Sequence, residues 1–176
     1  MTDFTIALAG NPNAGKSTVF NALTGSRQHV GNWPGKTVAK KEGIFKHNGT
    51  TINVVDLPGT YSLSAYSLEE QIARDFIVKD RPALVVNVAD AANLERNLYL
   101  TVQILETGTP TMLVLNMMDV ADNRGFKIDT QKMSKQLGNI PVVSTAASRN
   151  RGLDELKQVI ADFVASQPIP TNGRVK

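Results

Sequence analysis

Cysteine is absent from the 176 residues, which excludes a disulfide framework, a thiolate zinc site and a cysteine nucleophile. Zero cysteines also suits a reducing compartment. Histidine is scarce: His29 and His47 are the only two. Neither has a carboxylate or a second histidine at ligand spacing, so transition-metal coordination gets little support. No stretch approaches the ~20 apolar residues that a membrane span needs. The chain enters its first apolar run almost at once, so no signal peptide is expected. Charge of one sign is also lacking, with 19 basic against 16 acidic residues and a net charge of +3. The local excess is Lys36, Lys40, Lys41 and Lys46. It reads as a solvated strand face, with acidic lipid or RNA as the alternative. There is no internal repeat. The length fits one domain with a real core over residues 1–166, followed by a linker or tail over 167–176 that begins Gln167-Pro168-Ile169-Pro170.

What is present starts with Gly10-Asn11-Pro12-Asn13-Ala14-Gly15-Lys16-Ser17, two glycines bracketing four residues and then Lys-Ser. That is the spacing of a phosphate-binding loop. An apolar run, Phe4 to Ala9, precedes it, and Thr18 to Leu23 follows with helical spacing. This strand–loop–helix context is what gives the motif meaning. Successive backbone N–H groups at a helix N-terminus form a nest for a polyphosphate. Gly15 lets the backbone come close to the phosphates. Lys16 brings a mobile charge to the β- and γ-phosphates, and the Ser17 hydroxyl is placed to ligate Mg²⁺, with Thr18 beside it. A glycine-rich turn without a ligand is the bland alternative. The context favours nucleoside triphosphate binding.

Apolar runs and helical patterns alternate along the rest. Thr51 to Val55, Leu84 to Val88, Thr111 to Leu115 and Pro141 to Ser144 read as strands, near-continuous in the manner of a parallel sheet buried on both faces. Helical spacing runs from Leu68 to Lys79, Glu95 to Thr107, Thr130 to Leu137 and Leu153 to Ala165. Val38 to Phe45 is expected to pair antiparallel with Thr51 to Asp56 across His47-Asn48-Gly49, a hairpin signal. The alternation predicts a doubly wound α/β domain. Its mostly parallel sheet has about six strands, one of them an antiparallel edge strand, with flanking helices and the ligand at the strands' carboxyl ends.

Two further motifs fall at those carboxyl ends. Asp56-Leu57-Pro58-Gly59 closes the third predicted strand, forty residues after Lys16. There a carboxylate can hold Mg²⁺ through water, and the Gly59 N–H can bond the γ-phosphate and sense its loss. Asn116-Met117-Met118-Asp119 closes the fifth. The Asp119 carboxylate can accept from the N1–H and 2-amino group of guanine, donors that adenine lacks. Asn116 can brace the loop and bond the base, while Met117 can cover the base face. A strand ending in an Asn/Asp turn is the plain alternative.

Together these motifs resemble a GTPase of the Ras-like superfamily, in the branch that includes Era. Val30-Gly31-Asn32-Trp33-Pro34-Gly35-Lys36-Thr37, Asp56 to Leu63 and Asn93-Leu94-Glu95-Arg96-Asn97-Leu98-Tyr99-Leu100 narrow it. They resemble the G domain of bacterial ferrous iron transport protein B, from about Thr5 to Ala165. The resemblance implies GTP hydrolysis to GDP on the cytoplasmic side of the inner membrane, regulating iron(II) uptake. Members continue into a helical domain and a polytopic membrane domain, so the chain resembles an N-terminal fragment or a member whose helical domain is missing. The implied partners are GTP and the membrane domain of the same polypeptide. There is room for small cytosolic accessory proteins and an oligomer, and no nucleic acid is expected. Thr37 matches the switch I threonine that joins Ser17 on Mg²⁺, and Asp56 and Gly59 open switch II. Thr60 stands where Ras-type enzymes carry a water-orienting glutamine and is too short for that role. A bound potassium ion is implied instead, held by Asn13 and by backbone carbonyls near Gly31 and Trp33, for electrostatic stabilisation of the transition state. The plain reading of Asn13 is a turn residue tolerating an unusual backbone angle. Without turnover, the chain would be a module that only holds GTP. An RNA-associated GTPase of ribosome or tRNA maturation shares Gly-x-Pro-Asn and remains the other alternative.

The base loop departs from the relatives' pattern. It reads Ser144-Thr145-Ala146-Ala147-Ser148, with Ala146 where a serine is usual. Ala147 keeps a backbone donor for guanine O6. The loop-bracing hydroxyl is either lost or supplied by Thr145.

Overall fold

A computed structural model of the chain describes residues 4–168. The expected tail from position 169 onward lies outside the described residues. The strands are β1 (Phe4–Gly10), β2 (Gln28–Asn32), β3 (Ala39–His47), β4 (Thr50–Asp56), β5 (Leu84–Asp90), β6 (Thr111–Asn116) and β7 (Val142–Ser144). They form one sheet in the order β2-β3-β4-β1-β5-β6-β7. From β4 across to β7 every neighbouring pair is parallel. β3 runs antiparallel to both β4 and β2. The helices are α1 (Lys16–Thr24), α2 (Leu68–Asp75), α3 (Leu94–Glu106), α4 (Met118–Asn123), α5 (Thr130–Gln136) and α6 (Leu153–Ala165), with a π-helical turn over Phe76–Asp80 prolonging α2. None of the described helices is long and apolar enough to cross a membrane.

The two-residue side-chain period of β1 sorts the core. Ile6 and Leu8 point to one face, packing with Val19 and Phe20 of α1 and Leu156 and Ile160 of α6. Ala7 and Ala9 point to the other, under Ile72 and Ala73 of α2 and Leu100 and Ile104 of α3. The same alternation splits β6, with Met112 and Val114 on the first face and Leu113 and Leu115 on the other. The doubly wound prediction holds, and the antiparallel pairing sits at the expected edge.

The strand count is corrected from about six to seven. The additional one, β2, reads Gln-His-Val-Gly-Asn, and all five residues are exposed, so no apolar alternation marks it. It exists because β3 offers it a ladder from Gln28↔Gly43 to Asn32↔Ala39. The adjoining hairpin was legible: His47 pairs Thr50, and Asn48 (φ 47°) and Gly49 (φ 81°) form the two-residue turn that suits the right-handed twist.

Candidate functional site

The phosphate loop leaves β1 and enters α1 through two turns fixed by local chemistry. The Ala14 N–H donates to Asn11 O at 3.2 Å, enclosing Pro12 and Asn13. Pro12 excludes positive φ at the first central position, so Asn13 at φ 66° takes the left-handed second position of a type II turn. Gly15 follows at φ 85°, and a Cβ there would lie 2.2 Å from Asn116 Nδ2. Only glycine fits. Asn13 therefore has a backbone reason to be asparagine, while its side chain stands exposed at the loop's rim.

Beneath the loop, Lys16 Nζ forms an ion pair with Asp56 Oδ1, and both side chains are about nine-tenths buried. The start of switch II is pinned to the same strand. Leu57 N–H donates to Leu8 O at 3.0 Å and Thr60 N–H to Gly10 O at 3.1 Å. A cavity of about 520 Å³ opens here, lined by Asn11, Pro12, Asn13, Gly15, Lys16, Ser17, Gly59 and Met117. It unites residues from three predicted motifs. Thr60 is buried, so it does not face a substrate water. Asn11 is buried as well, and neither polar atom of its amide has a partner.

Asn116 ties the phosphate loop to the base loop. Its Nδ2 donates to Ala14 O at 3.0 Å. Its Oδ1 accepts from Thr145 Oγ1 at 2.9 Å and from the Ala147 N–H at 3.0 Å. Thr145 thus supplies the hydroxyl that Ala146 lacks. The Ala147 N–H, expected to face the base, is directed to Asn116 instead, and the Ala146 N–H donates to Arg151 O. Met117 turns the chain at φ 60° and leads into α4, which carries Asp119. The Asp119 carboxylate accepts from Arg149 Nε at 2.7 Å, a partner that no sequence motif signalled. Ser144 closes β7, whose carboxyl end delivers this loop.

Switch I stands apart. Gly31 and Asn32 belong to β2. The Lys36 N–H donates to Trp33 O at 2.9 Å across Pro34 and Gly35. Gly35, at φ 68°, again makes a Pro-led type II turn. The Trp33 ring is buried against Phe76 at 5.7 Å, with Lys40 Nζ 5.0 Å from its centroid. The segment around Trp33 is thus held by both a turn and ring packing. Thr37 is exposed, and no residue from 28 to 38 lines the phosphate cavity. Gly31 and Trp33, whose carbonyls were expected to join Asn13 around a monovalent cation, are not among the residues lining that cavity.

Switch II is held by its own side chains. Ser67 caps α2 through the Glu70 N–H at 3.1 Å, and the Glu70 carboxylate accepts from Ser62 Oγ and the Tyr66 N–H. The Arg96 guanidinium lies 4.3 Å from the Tyr61 ring centroid, and the Leu63 N–H donates to Gln103 Oε1 at 2.7 Å. Tyr66 is 92% exposed. A larger groove of about 960 Å³ lies between Ala91–Arg96 and Gly125–Ile128 and holds none of the phosphate or base residues.

The family described as ferrous iron transport protein B matches residues 4–160. The Fe(2+) transporter FeoB of Escherichia coli K12 is 49% identical over 173 residues, which are 96% of this chain and 22% of that protein. The chain thus spans about a fifth of the curated relatives' length. Among solved structures, the Methanococcus jannaschii FeoB G domain superposes with a TM-score of 0.82 at 50% identity, covering 94% of this chain and 99% of that one. The T. maritima FeoB cytosolic domain in a GDP form gives 0.90 at 49% identity, covering 94% and 65%. Its GMPPNP form gives 0.89 at 48%, covering 96% and 66%.

Proposed function

The chain belongs to the ferrous iron transport protein B family, and on that premise we propose that it is a GTPase domain regulating iron(II) uptake. One observation carries this reading. Asn116 welds the phosphate loop to the base loop through three buried hydrogen bonds, so a polyphosphate cradle and the Asp119 carboxylate form a single site. Asp119 recognises guanine through its N1–H and 2-amino donors. The solved relatives in GDP and GMPPNP forms support the nucleotide.

The donors at the phosphate end fit Mg²⁺: a serine hydroxyl at the start of α1 and a carboxylate at the end of β4, both hard oxygens. When bound, Mg²⁺ supplies charge neutralisation on the β- and γ-phosphate oxygens. Ser17 and Asp56 would hold it, and Thr37 would join them once switch I leaves the Trp33 turn. Lys16 would exchange its pairing with Asp56 for the phosphates, and the Gly59 N–H would bond the γ-phosphate. Asn13 would provide one oxygen for potassium at the rim. The carbonyls of Gly31 and Trp33 would complete that set only after switch I moves.

In the intact polypeptide the two switches would signal to a membrane domain, placing this domain at the cytoplasmic face of the inner membrane. The test compares GTP and ATP turnover with Mg²⁺ in the unaltered chain and in Asp119→Ala. GTP turnover with negligible ATP turnover is expected. The preference should fall by two orders or more in the variant, as lost charge-assisted pairs of about 3 kcal/mol dictate. Equal use of both nucleotides by the unaltered chain would overturn the reading.

A further inference from the structure

Asp119 carries base recognition in the function proposed above, and this inference rests on that reading. Among the described residues the only partner of its carboxylate is Arg149, whose Nε donates to Oδ2 at 2.7 Å. Asp119 is 15% exposed and Arg149 65%, so the carboxylate lies inside the site and the guanidinium closes on it from outside. No other side chain of the base loop does this. Ala146 has no hydroxyl, and Thr145 Oγ1 is committed to Asn116. The backbone that presents Arg149 is itself anchored. The Arg149 and Arg151 N–H groups donate to Ala146 O at 2.9 and 3.2 Å, and the Ala146 N–H returns a bond to Arg151 O at 3.1 Å. Gly152 lies so close to Ser144 O that a Cβ would stand 2.2 Å from it.

We propose that Arg149 is a positioning residue for guanine recognition, holding the Asp119 carboxylate in the orientation that receives the base. An ionised carboxylate offers about four lone-pair sites. It can therefore keep the Arg149 bond at Oδ2 and still accept both N–H donors of guanine. The guanidinium also offsets the cost of desolvating the carboxylate when the base edge covers it. Arg149 thus braces the Asp119 carboxylate, while Thr145 braces Asn116.

The test is the release rate of a fluorescent N-methylanthraniloyl-GDP from the full chain. Arg149→Ala is expected to speed release about three- to fivefold, the upper range for a partly exposed ion pair, and Arg149→Lys less so. In an Asp119→Ala background the same change should do nothing further, because the residue acts through Asp119. Thermal melting of each variant separates loss of binding from loss of folding. Slower release from Arg149→Ala would overturn the proposal, since Arg149 would then compete with the base. An unchanged rate, or an equal effect in both backgrounds, would overturn it too. If the unaltered chain fails to prefer GTP over ATP, the base-site reading has failed instead.

Discussion

Replacing Asn116 by alanine is the most direct probe of the weld between the two loops. The substitution removes three hydrogen bonds at a residue that is only 3% exposed. It orphans the Ala14 carbonyl, the Thr145 hydroxyl and the Ala147 N–H. Each buried orphan costs about 1–3 kcal/mol, and water entering the vacated space relieves part of that, leaving about 3 kcal/mol in total. For a domain of this size that corresponds to a melting point lower by about 6–12 °C. Thr145→Val is the graded control. It deletes one donor at nearly constant volume, while Asn116 Oδ1 keeps the Ala147 N–H, so about 1 kcal/mol is expected. Urea unfolding and thermal melting with and without GDP measure both. Because the bonds join phosphate and base halves, Asn116→Ala should lose most of the GDP-induced rise in melting point as well. A melting point within about 2 °C of the unaltered chain would refute the claim that these bonds hold the site together.

Two further outcomes follow from the switch regions. Exchanging sodium for potassium at fixed ionic strength should raise GTP turnover at least about tenfold, or ~1.4 kcal/mol of barrier. Asn13→Ala should abolish most of that rise with little change in GDP affinity; a retained rise would leave Asn13 as the turn residue its φ of 66° already explains. Trp33, the sole tryptophan, should change its fluorescence between GDP and a non-hydrolysable GTP analogue, because capturing Thr37 is expected to pull on the turn that seats the indole against Phe76. Identical spectra in Thr37→Ala are expected, and identical spectra in the unaltered chain would count against Trp33 as part of the switch.

Most of the fold was legible because its parallel strands carry their own signal. Runs such as Leu84 to Val88 are apolar on both faces, and α1, α2, α3 and α6 have helical spacing beside them. β2 was not legible, because an exposed strand borrows its conformation from a neighbour's ladder rather than from its own side chains. The phosphate loop was readable because its glycine spacing is imposed by close approach, as the 2.2 Å clearance at Gly15 shows. The base loop was readable only in part. The Thr145 hydroxyl was named as one of two outcomes, whereas the Arg149–Asp119 pair depends on a 3₁₀ turn that no short pattern encodes. Trp33 escaped for a different reason. Its neighbours Pro34 and Gly35 advertise a turn, but its burial depends on Phe76, distant in sequence.

The two attachments of switch II to α3 have a mechanical consequence. A segment pinned at one point can swivel about it, but a segment pinned at two can move only by breaking a fastening or by dragging its support. Arg96 and Gln103 lie seven residues apart on one helix, about 10 Å along its axis. They grip Tyr61 and Leu63, two positions that are nearly adjacent in the chain. The span on the helix exceeds the span on the loop, so the connection resists twisting as a braced strut does. A displacement of switch II that keeps both grips becomes a push along or across α3. The end of that strut, Leu94 to Arg96, forms one wall of the large groove.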